Sequence, residues 1–228
     1  MILPDALIFD LDGTLWDAAE ATTRGWNRAL EEMGARTRVT TAGIRSVAGT
    51  PFEGCVEILL PELRPPTEAL LRSLDVHEKA AIAEAGGTLF PGVEPGVRML
   101  ASVYPLFLVS NCQDWYLELF LAKGGLRDCF TGGDCNGLSG LPKSGMLLGL
   151  AEKHRLKHAV YVGDTQGDQD AAEGAGMGFA FARYGFGSVT APVLSFDSFG
   201  ELTAHFMAGL PGETTARASP AHGGGDGG

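Results

Sequence analysis

The chain has 228 residues, 45% of them hydrophobic, and a formal net charge of -11. That length suits one domain, or one domain with a smaller insertion, and the apolar content supports a real core. The 17 Lys and Arg are scattered against 28 Asp and Glu, which excludes a non-specific nucleic-acid binder, and no stretch approaches the roughly 18 consecutive apolar residues of a membrane span.

The N-terminus, M-I-L-P-D, has no basic leader and is interrupted by Pro4 and Asp5, so no secretory signal is expected. Cys55, Cys112, Cys129 and Cys135 form no C-x-x-C pair or disulfide framework, and reduced thiols in a cytoplasmic protein are expected. The apolar run Ala6 to Phe9 ends abruptly on Asp10, as a strand buried on both faces would. Asp10 then stands at the carboxyl end of that strand, where open α/β sheets place their chemistry. Asp12 and Gly13 follow. Two acids at i and i+2, on a chain leaving a strand, can aim at one small volume fit for a divalent cation and a phosphoryl group. Gly13 permits a tight turn and a close backbone approach.

Residues 17–85 hold no convincing strand and several helical patterns, at 17–33, 40–47, 52–60 and 67–85. Trp26, Leu30 and Met33 share one helical face behind a cap at Asp17. Gly86-Gly87 and Pro91-Gly92 close the stretch, so residues 17–86 are expected to be an inserted helical cap domain. Beyond it, Leu106 to Val109 reads as a strand ending in Ser110-Asn111. Residues 113–123 read as a helix stopped by Gly124-Gly125. Lys143 precedes a helix over 144–153. Ala159 to Val162 is a third strand, ending in G-D-T-Q-G-D with Asp164 and Asp168, ahead of a helix at 167–175. Gly178 to Ala182 is a fourth strand, and Asp197-Ser198 opens a last helix carrying Phe199, Leu202 and Phe206. Strand and helix alternate, which predicts a doubly wound, Rossmann-like parallel α/β core over residues 1–16 and 87–210. Residues 211–228 lack apolar content and are expected to be a disordered tail.

D-x-D-G-T at Asp10, S-N at Ser110, the single Lys143 and G-D-T-x-x-D at Asp164, in this order, resemble the haloacid dehalogenase superfamily over roughly residues 5–208. The cap and the loop Tyr184-Gly185-Phe186-Gly187 are similar to those of its phosphoglycolate-phosphatase-like and β-phosphoglucomutase-like members. The resemblance implies a Mg²⁺-dependent phosphatase of a small phosphorylated metabolite, acting as a monomer or homodimer. Asp10 would be the nucleophile that forms an aspartyl-phosphate, and Asp12 the general acid and base. Asp10, Asp12, Asp164 and Asp168 would form the metal site, with Asp12 contributing its carbonyl oxygen and Asp168 orienting the others. Gly13, Ser110, Asn111 and Lys143 would bind the phosphoryl oxygens. Four crowded carboxylates repel one another, and Mg²⁺ with Lys143 offsets three of the four charges. Asp12 also favours chemistry at phosphorus over carbon, since halide displacement needs no acid two residues past the nucleophile.

Specificity is expected to come from the cap, with Arg24, Asn27, Arg45 and Thr50 as candidate contacts to the leaving group. The same motifs also fit a β-phosphoglucomutase-like phosphomutase, and a third alternative is a non-catalytic protein that binds partners in a phosphate- or Mg²⁺-dependent way.

Overall fold

A computed structural model describes residues 3–209; the tail expected at 211–228 lies outside the described residues. The strands are β1 (Leu7–Phe9), β2 (Trp16–Asp17), β3 (Thr88–Leu89), β4 (Leu106–Ser110), β5 (Gly132–Cys135), β6 (Val160–Gly163), β7 (Gly178–Ala182) and β8 (Ser195–Phe196). The helices are α1 (Ala19–Glu32), α2 (Thr41–Ser46), α3 (Phe52–Leu59), α4 (Glu68–Ala85), α5 (Val93–Ala101), α6 (Asp114–Lys123), α7 (Asn136–Ser139), α8 (Lys143–His154), α9 (Gln166–Gly174) and α10 (Phe199–Ala208), with 3₁₀ turns at Pro61–Leu63 and Arg127–Cys129.

Six strands form one sheet in the order β5-β4-β1-β6-β7-β8, and every neighbouring pair is parallel. The period-2 alternation of side chains decides which layer each residue joins. Leu7, Phe9, Leu106, Leu108 and Val162 pack on one face with Val97 and Leu100 of α5, Phe120 of α6 and Leu202 of α10. Ile8, Phe107, Val109 and Tyr161 point the other way, onto Met146, Leu147 and Leu150 of α8 and Ala171 and Ala172 of α9. The central strands therefore carry apolar side chains on both sides, which explains why they read as continuous hydrophobic runs.

Register sets the site. Phe9 pairs with both Leu108 and Val162. The residues that follow Phe9, and those that end β4 and β6, thus emerge at one level on strands about 4.8 Å apart. Asp10 stays in the ladder by one more bond, its N–H donating to Val162 O at 2.9 Å.

Helices α1 to α4 pack around a core of their own, formed by Trp26, Ala29, Leu30, Val39, Val56, Leu60, Leu70 and Leu74. Met33, expected on the same face as Trp26 and Leu30, is 45% exposed, because α1 ends at Glu32 and the chain turns away at Gly34. Glu78 of α4 is buried within this layer. Its Oε2 accepts from Trp26 Nε1 at 2.8 Å and its Oε1 from Thr22 Oγ1 at 3.1 Å.

The alternation predicts four strands in the sheet, and two more are present. Strand β5 is G-G-D-C, an edge with almost no side-chain pattern, and β8 is only two residues long. Helix α5 starts directly after Pro91-Gly92. Its Pro95 falls in the first turn, where a missing N–H costs nothing, and Val93, Val97 and Leu100 still face the core. The two chain crossings between sheet and helical layer are also not loose: β2 and β3 pair antiparallel, Trp16 with Leu89 and Asp17 with Thr88.

Burial is the main cause that pushes Glu78 up to about 7, outweighing the hydrogen bonds from Trp26 and Thr22; Asp75 adds a smaller like-charge push. Its folded value thus lies above the ordinary 4.5. Between these limits the folded chain holds a proton that the unfolded chain has released, so stability falls as pH rises through that window. Glu78→Gln removes this dependence. Between about pH 4 and pH 8 the wild type is expected to lose roughly 3 kcal/mol relative to Glu78→Gln, at ~1.4 kcal/mol for each pH unit that separates the folded and unfolded titrations. Urea denaturation of both proteins across that range measures it; a constant difference would contradict the assignment.

Candidate active site

Asp10, at the tip of β1, is 1% exposed. The ammonium of Lys143, the first residue of α8, stands 3.1 Å from Asp10 Oδ1 and 2.6 Å from Asp168 Oδ1. Burial pulls the Lys143 ammonium down, but the charges of Asp10 and Asp168 outweigh it and hold the group above its ordinary value. Breaking such a buried pair by removing one partner strands an uncompensated charge, which is far more costly than the pair's own net contribution.

Asp168 is fully committed to its neighbours. Besides Lys143, its Oδ1 receives the Tyr161 hydroxyl at 3.4 Å. Its Oδ2 accepts from Asp164 N at 3.1 Å, Thr165 N at 2.9 Å and Thr165 Oγ1 at 2.7 Å. Thr165 closes a capping box with Asp168 at the start of α9. The second acid of G-D-T-x-x-D therefore shapes the loop that carries the first.

Asp164 is fully buried and is held from the far side. Phe186 N and Gly187 N donate to its Oδ2 at 2.8 and 3.1 Å, while Oδ1 has no partner. The loop approaches so closely that a Cβ on Gly185 would lie 2.4 Å from the Asp164 Cβ. Gly13 faces Asp164 from the other side, at φ +80°, and a Cβ there would lie 2.2 Å from Asp164 Oδ2. Its own N–H donates to Trp16 O at 3.1 Å. Gly13 thus makes room for Asp164; its expected contribution of an N–H to phosphate is pre-empted by the turn that the peptide closes.

Carboxylate oxygens of Asp10, Asp164 and Asp168 lie within 4.8 Å of one another. Burial raises Asp10 to about 6, with Lys143 opposing and Asp168 adding. Burial raises Asp164 to about 7, with Asp168 and Asp10 adding and the Phe186 and Gly187 amides opposing. Asp10 Oδ2 and Asp164 Oδ1 are buried and accept no hydrogen bond. Hard oxygen donors that are crowded, destabilised as anions and unpartnered fit a divalent cation.

A sequence profile of the haloacid dehalogenase-like hydrolases matches residues 7–182, which include Asp10, Asp12, Ser110, Lys143, Asp164 and Asp168. The chain belongs to the haloacid dehalogenase-like hydrolases. It is 30% identical to a phosphoglycolate phosphatase of Rhodobacter capsulatus over 188 residues, 79% of this chain and 85% of that protein. It is 30% identical to a phosphoglycolate phosphatase of Yersinia pseudotuberculosis over 213 residues, 89% of this chain and 90% of that one. A solved haloacid dehalogenase-like hydrolase of Streptococcus pneumoniae superposes with a TM-score of 0.74 at 21% identity, over 90% of this chain and 98% of that one. The chain is thus an enzyme of the phosphatase branch of this family. Among the described residues no helix is long and apolar enough to cross a membrane.

Asp12 faces a cleft between the sheet and the helical layer. Tyr116, in the first turn of α6, donates its hydroxyl to Asp12 Oδ1. Burial is the main cause that raises Asp12 to about 8; Tyr116 opposes it, and Asp10, Glu78 and Asp164 add. Ser110 and Asn111 also line this cleft. The Asn111 amide nitrogen, expected to donate to phosphate, gives one of its two hydrogens to Gly49 O at 2.7 Å, in the loop between α2 and α3.

Of the four cap candidates, Arg45 and Thr50 line the cleft and Arg24 and Asn27 stand outside it. Arg24 pairs with Glu20 on the exposed face of α1, at 3.0 Å. Asn27 ties α1 to the next loop, exchanging two hydrogen bonds of 2.9 Å with the backbone of Val39. Arg45 is bound to Asp17. Tyr116, Glu78 and Gln113 are among the cleft residues that sequence reasoning misses. Tyr116 sits in a helix already accounted for by its apolar face, and Glu78 is an ordinary charge in a long helix until Trp26 and Thr22 fold over it.

Two outcomes follow. Lys143→Met is expected to destabilise the fold by about 3–5 kcal/mol, measured by denaturant unfolding; a loss under ~1 kcal/mol would mean that Asp10 and Asp168 are not charged partners of the lysine. A saturating divalent cation is expected to raise the unfolding midpoint by about 5–10 °C. Asp164→Asn should abolish that rise, and an undiminished rise in this variant would place the ion elsewhere.

Proposed function

We propose that the chain is a Mg²⁺-dependent phosphatase that hydrolyses a small organic phosphate monoester through an aspartyl-phosphate on Asp10. The observation that carries this reading is the convergence of Asp10, Asp164 and the Lys143 ammonium, close enough to Asp12 for Asp10 and Asp164 to add to the burial that raises its carboxyl, while Asp12 itself lines the cleft. The Asp10 and Asp164 carboxylates, with the main-chain carbonyl of Asp12, would hold the ion, and Asp168 keeps Asp164 and Lys143 in place. Mg²⁺, a hard cation that keeps part of its water shell, would offset the charge of Asp10 and of the phosphoryl oxygens.

An Asp10 carboxylate oxygen attacks phosphorus, and the bond from phosphorus to the leaving oxygen breaks. Asp12 gives its proton to that oxygen, and the alcohol departs. Water then attacks the aspartyl-phosphate. Asp12 takes the proton back, inorganic phosphate leaves, and the Asp10 carboxylate is restored. Lys143 supplies a fixed positive charge beside the transferring group, and Ser110 lines the same cleft with a hydroxyl donor. Tyr116 holds the Asp12 carboxyl in one orientation. The relatives named phosphoglycolate phosphatases support a small phosphorylated metabolite as substrate. Arg45, the one base among the cleft's described lining residues, is paired with Asp17, which favours hydrolysis over a mutase that has to grip a bisphosphate. All four cysteines are free, in keeping with a reducing compartment such as the cytoplasm.

Phosphate release from a panel of phosphorylated metabolites tests this reading. Release is expected with Mg²⁺ and not after chelation. Asp10→Asn is expected to lower turnover below detection, and turnover that survived would overturn the nucleophile assignment. Tyr116→Phe is expected to lower kcat by about 10- to 100-fold with little change in KM, the scale of one hydrogen bond to an ionisable group.

A further inference from the structure

The cleft above Asp12 is built for one kind of leaving group. Glu78 reaches it from α4 and is only 5% exposed. Both groups that bond to it, Trp26 Nε1 and Thr22 Oγ1, are donors, and each carboxylate oxygen retains capacity to accept another hydrogen bond. Among the described residues no free cation stands against it in the cleft. Arg45 gives both Nε and Nη2 to Asp17 Oδ2, at 3.0 and 2.5 Å, and its guanidinium lies 5.6 Å from the centre of the Phe186 ring. Across the cleft, Gln113 Nε2 and Asn111 Oδ1 are buried without a partner, one a donor and the other an acceptor. Apolar surface from Ala19, Ile44, Val47 and Phe52 fills the rest of the wall.

We infer that the leaving group of the substrate carries a hydrogen-bond donor, a hydroxyl or an ammonium, directed at Glu78, and no second anion. This rests on the phosphatase reading above and narrows it. A carboxylate or second phosphate on the leaving group would lie against Asp12 and the buried Glu78 without a free cation to offset the repulsion. A hydroxyl or ammonium instead completes the hydrogen bonding of Glu78, and the unpartnered amide groups of Gln113 and Asn111 can take up further hydroxyls. Sites that bury a polar group for a substrate reject analogues that leave it unpaired or opposed. The chain is therefore separated from the substrate in its relatives' names, since phosphoglycolate presents a carboxylate where this cleft presents another.

The test is the full chain with Mg²⁺ in mildly alkaline buffer and four probes: glycerol 1-phosphate, phosphoethanolamine, phosphoglycolate and fructose 1,6-bisphosphate. The better of the first two is expected to exceed both anionic probes by at least about 10-fold in kcat/KM, mostly through KM, and the winner identifies the donor as hydroxyl or ammonium. Glu78→Gln keeps an acceptor for Trp26 but removes the charge; it is expected to shrink that ratio about 10-fold, with phosphoglycolate gaining. If the variant does not fold, the wild-type ranking decides alone. Phosphoglycolate or the bisphosphate ranking first, or four equal probes, overturns the inference and leaves the phosphatase standing. No phosphate from any probe, nor from p-nitrophenyl phosphate, overturns the phosphatase itself, and the inference with it.

Discussion

One buried cation organises this molecule. Lys143 enters the sheet's carboxyl edge at the start of α8 and joins Asp10, which follows β1, to Asp168 in α9. Each of these charges is prohibitively costly to bury alone; the ammonium offsets one of the two carboxylates and leaves the group net negative. The lysine can only reach both acids if α8 and α9 lie side by side on one face of the sheet, which the packing of Met146, Leu147, Ala171 and Ala172 enforces. Electrostatics and apolar packing thus select the same arrangement, so that the site and the fold are one problem rather than two.

Asp164 shows the complementary device. It has no lysine; it is presented by main-chain groups and by the absence of side chains. Phe186 and Gly187 amides fix one oxygen, and Gly13 and Gly185 leave room for the carboxylate between them. The other oxygen is left bare. A rigid surround with a deliberately unsatisfied acceptor is how a protein stores affinity for an ion or a reacting group, at a cost drawn from the stability of the rest. The loop Tyr184 to Gly187 is anchored in turn by Tyr184, whose hydroxyl donates to Thr14 O at 2.9 Å. The first motif and the loop after β7 therefore brace each other.

The central strands were legible because burial on both faces leaves no polar residue in them, and Asp10, Ser110 and Asp164 were legible because each ends such a run. The haloacid dehalogenase motifs added the pairing between distant segments that periodicity alone does not supply. Strand β5 was not legible: G-G-D-C holds its place by main-chain bonds at an edge, and main-chain bonds leave no mark on composition. Side-chain commitments were equally hidden. Nothing in the sequence says that Asn111 gives an amide hydrogen to Gly49 or that Asn27 is bound to Val39, because those partners are chosen by tertiary proximity. Glu78 was hidden for the same reason, since a helical glutamate is solvent-facing by default until an indole closes over it.

The antiparallel pairing of Trp16–Asp17 with Thr88–Leu89 has a genealogical consequence. The polypeptide leaves the sheet and returns to it as neighbouring rungs of one ladder, so the points of departure and return are separated by a single interstrand spacing, about 4.8 Å. Those rungs fix where the helical layer joins the rest of the chain, whatever the length of the segment between them. A tight reverse turn, a differently shaped helical bundle or a longer module could be spliced there without moving Asp10 or its companions. Selection can therefore trade one recognition module for another while the hydrolytic machinery is inherited unchanged.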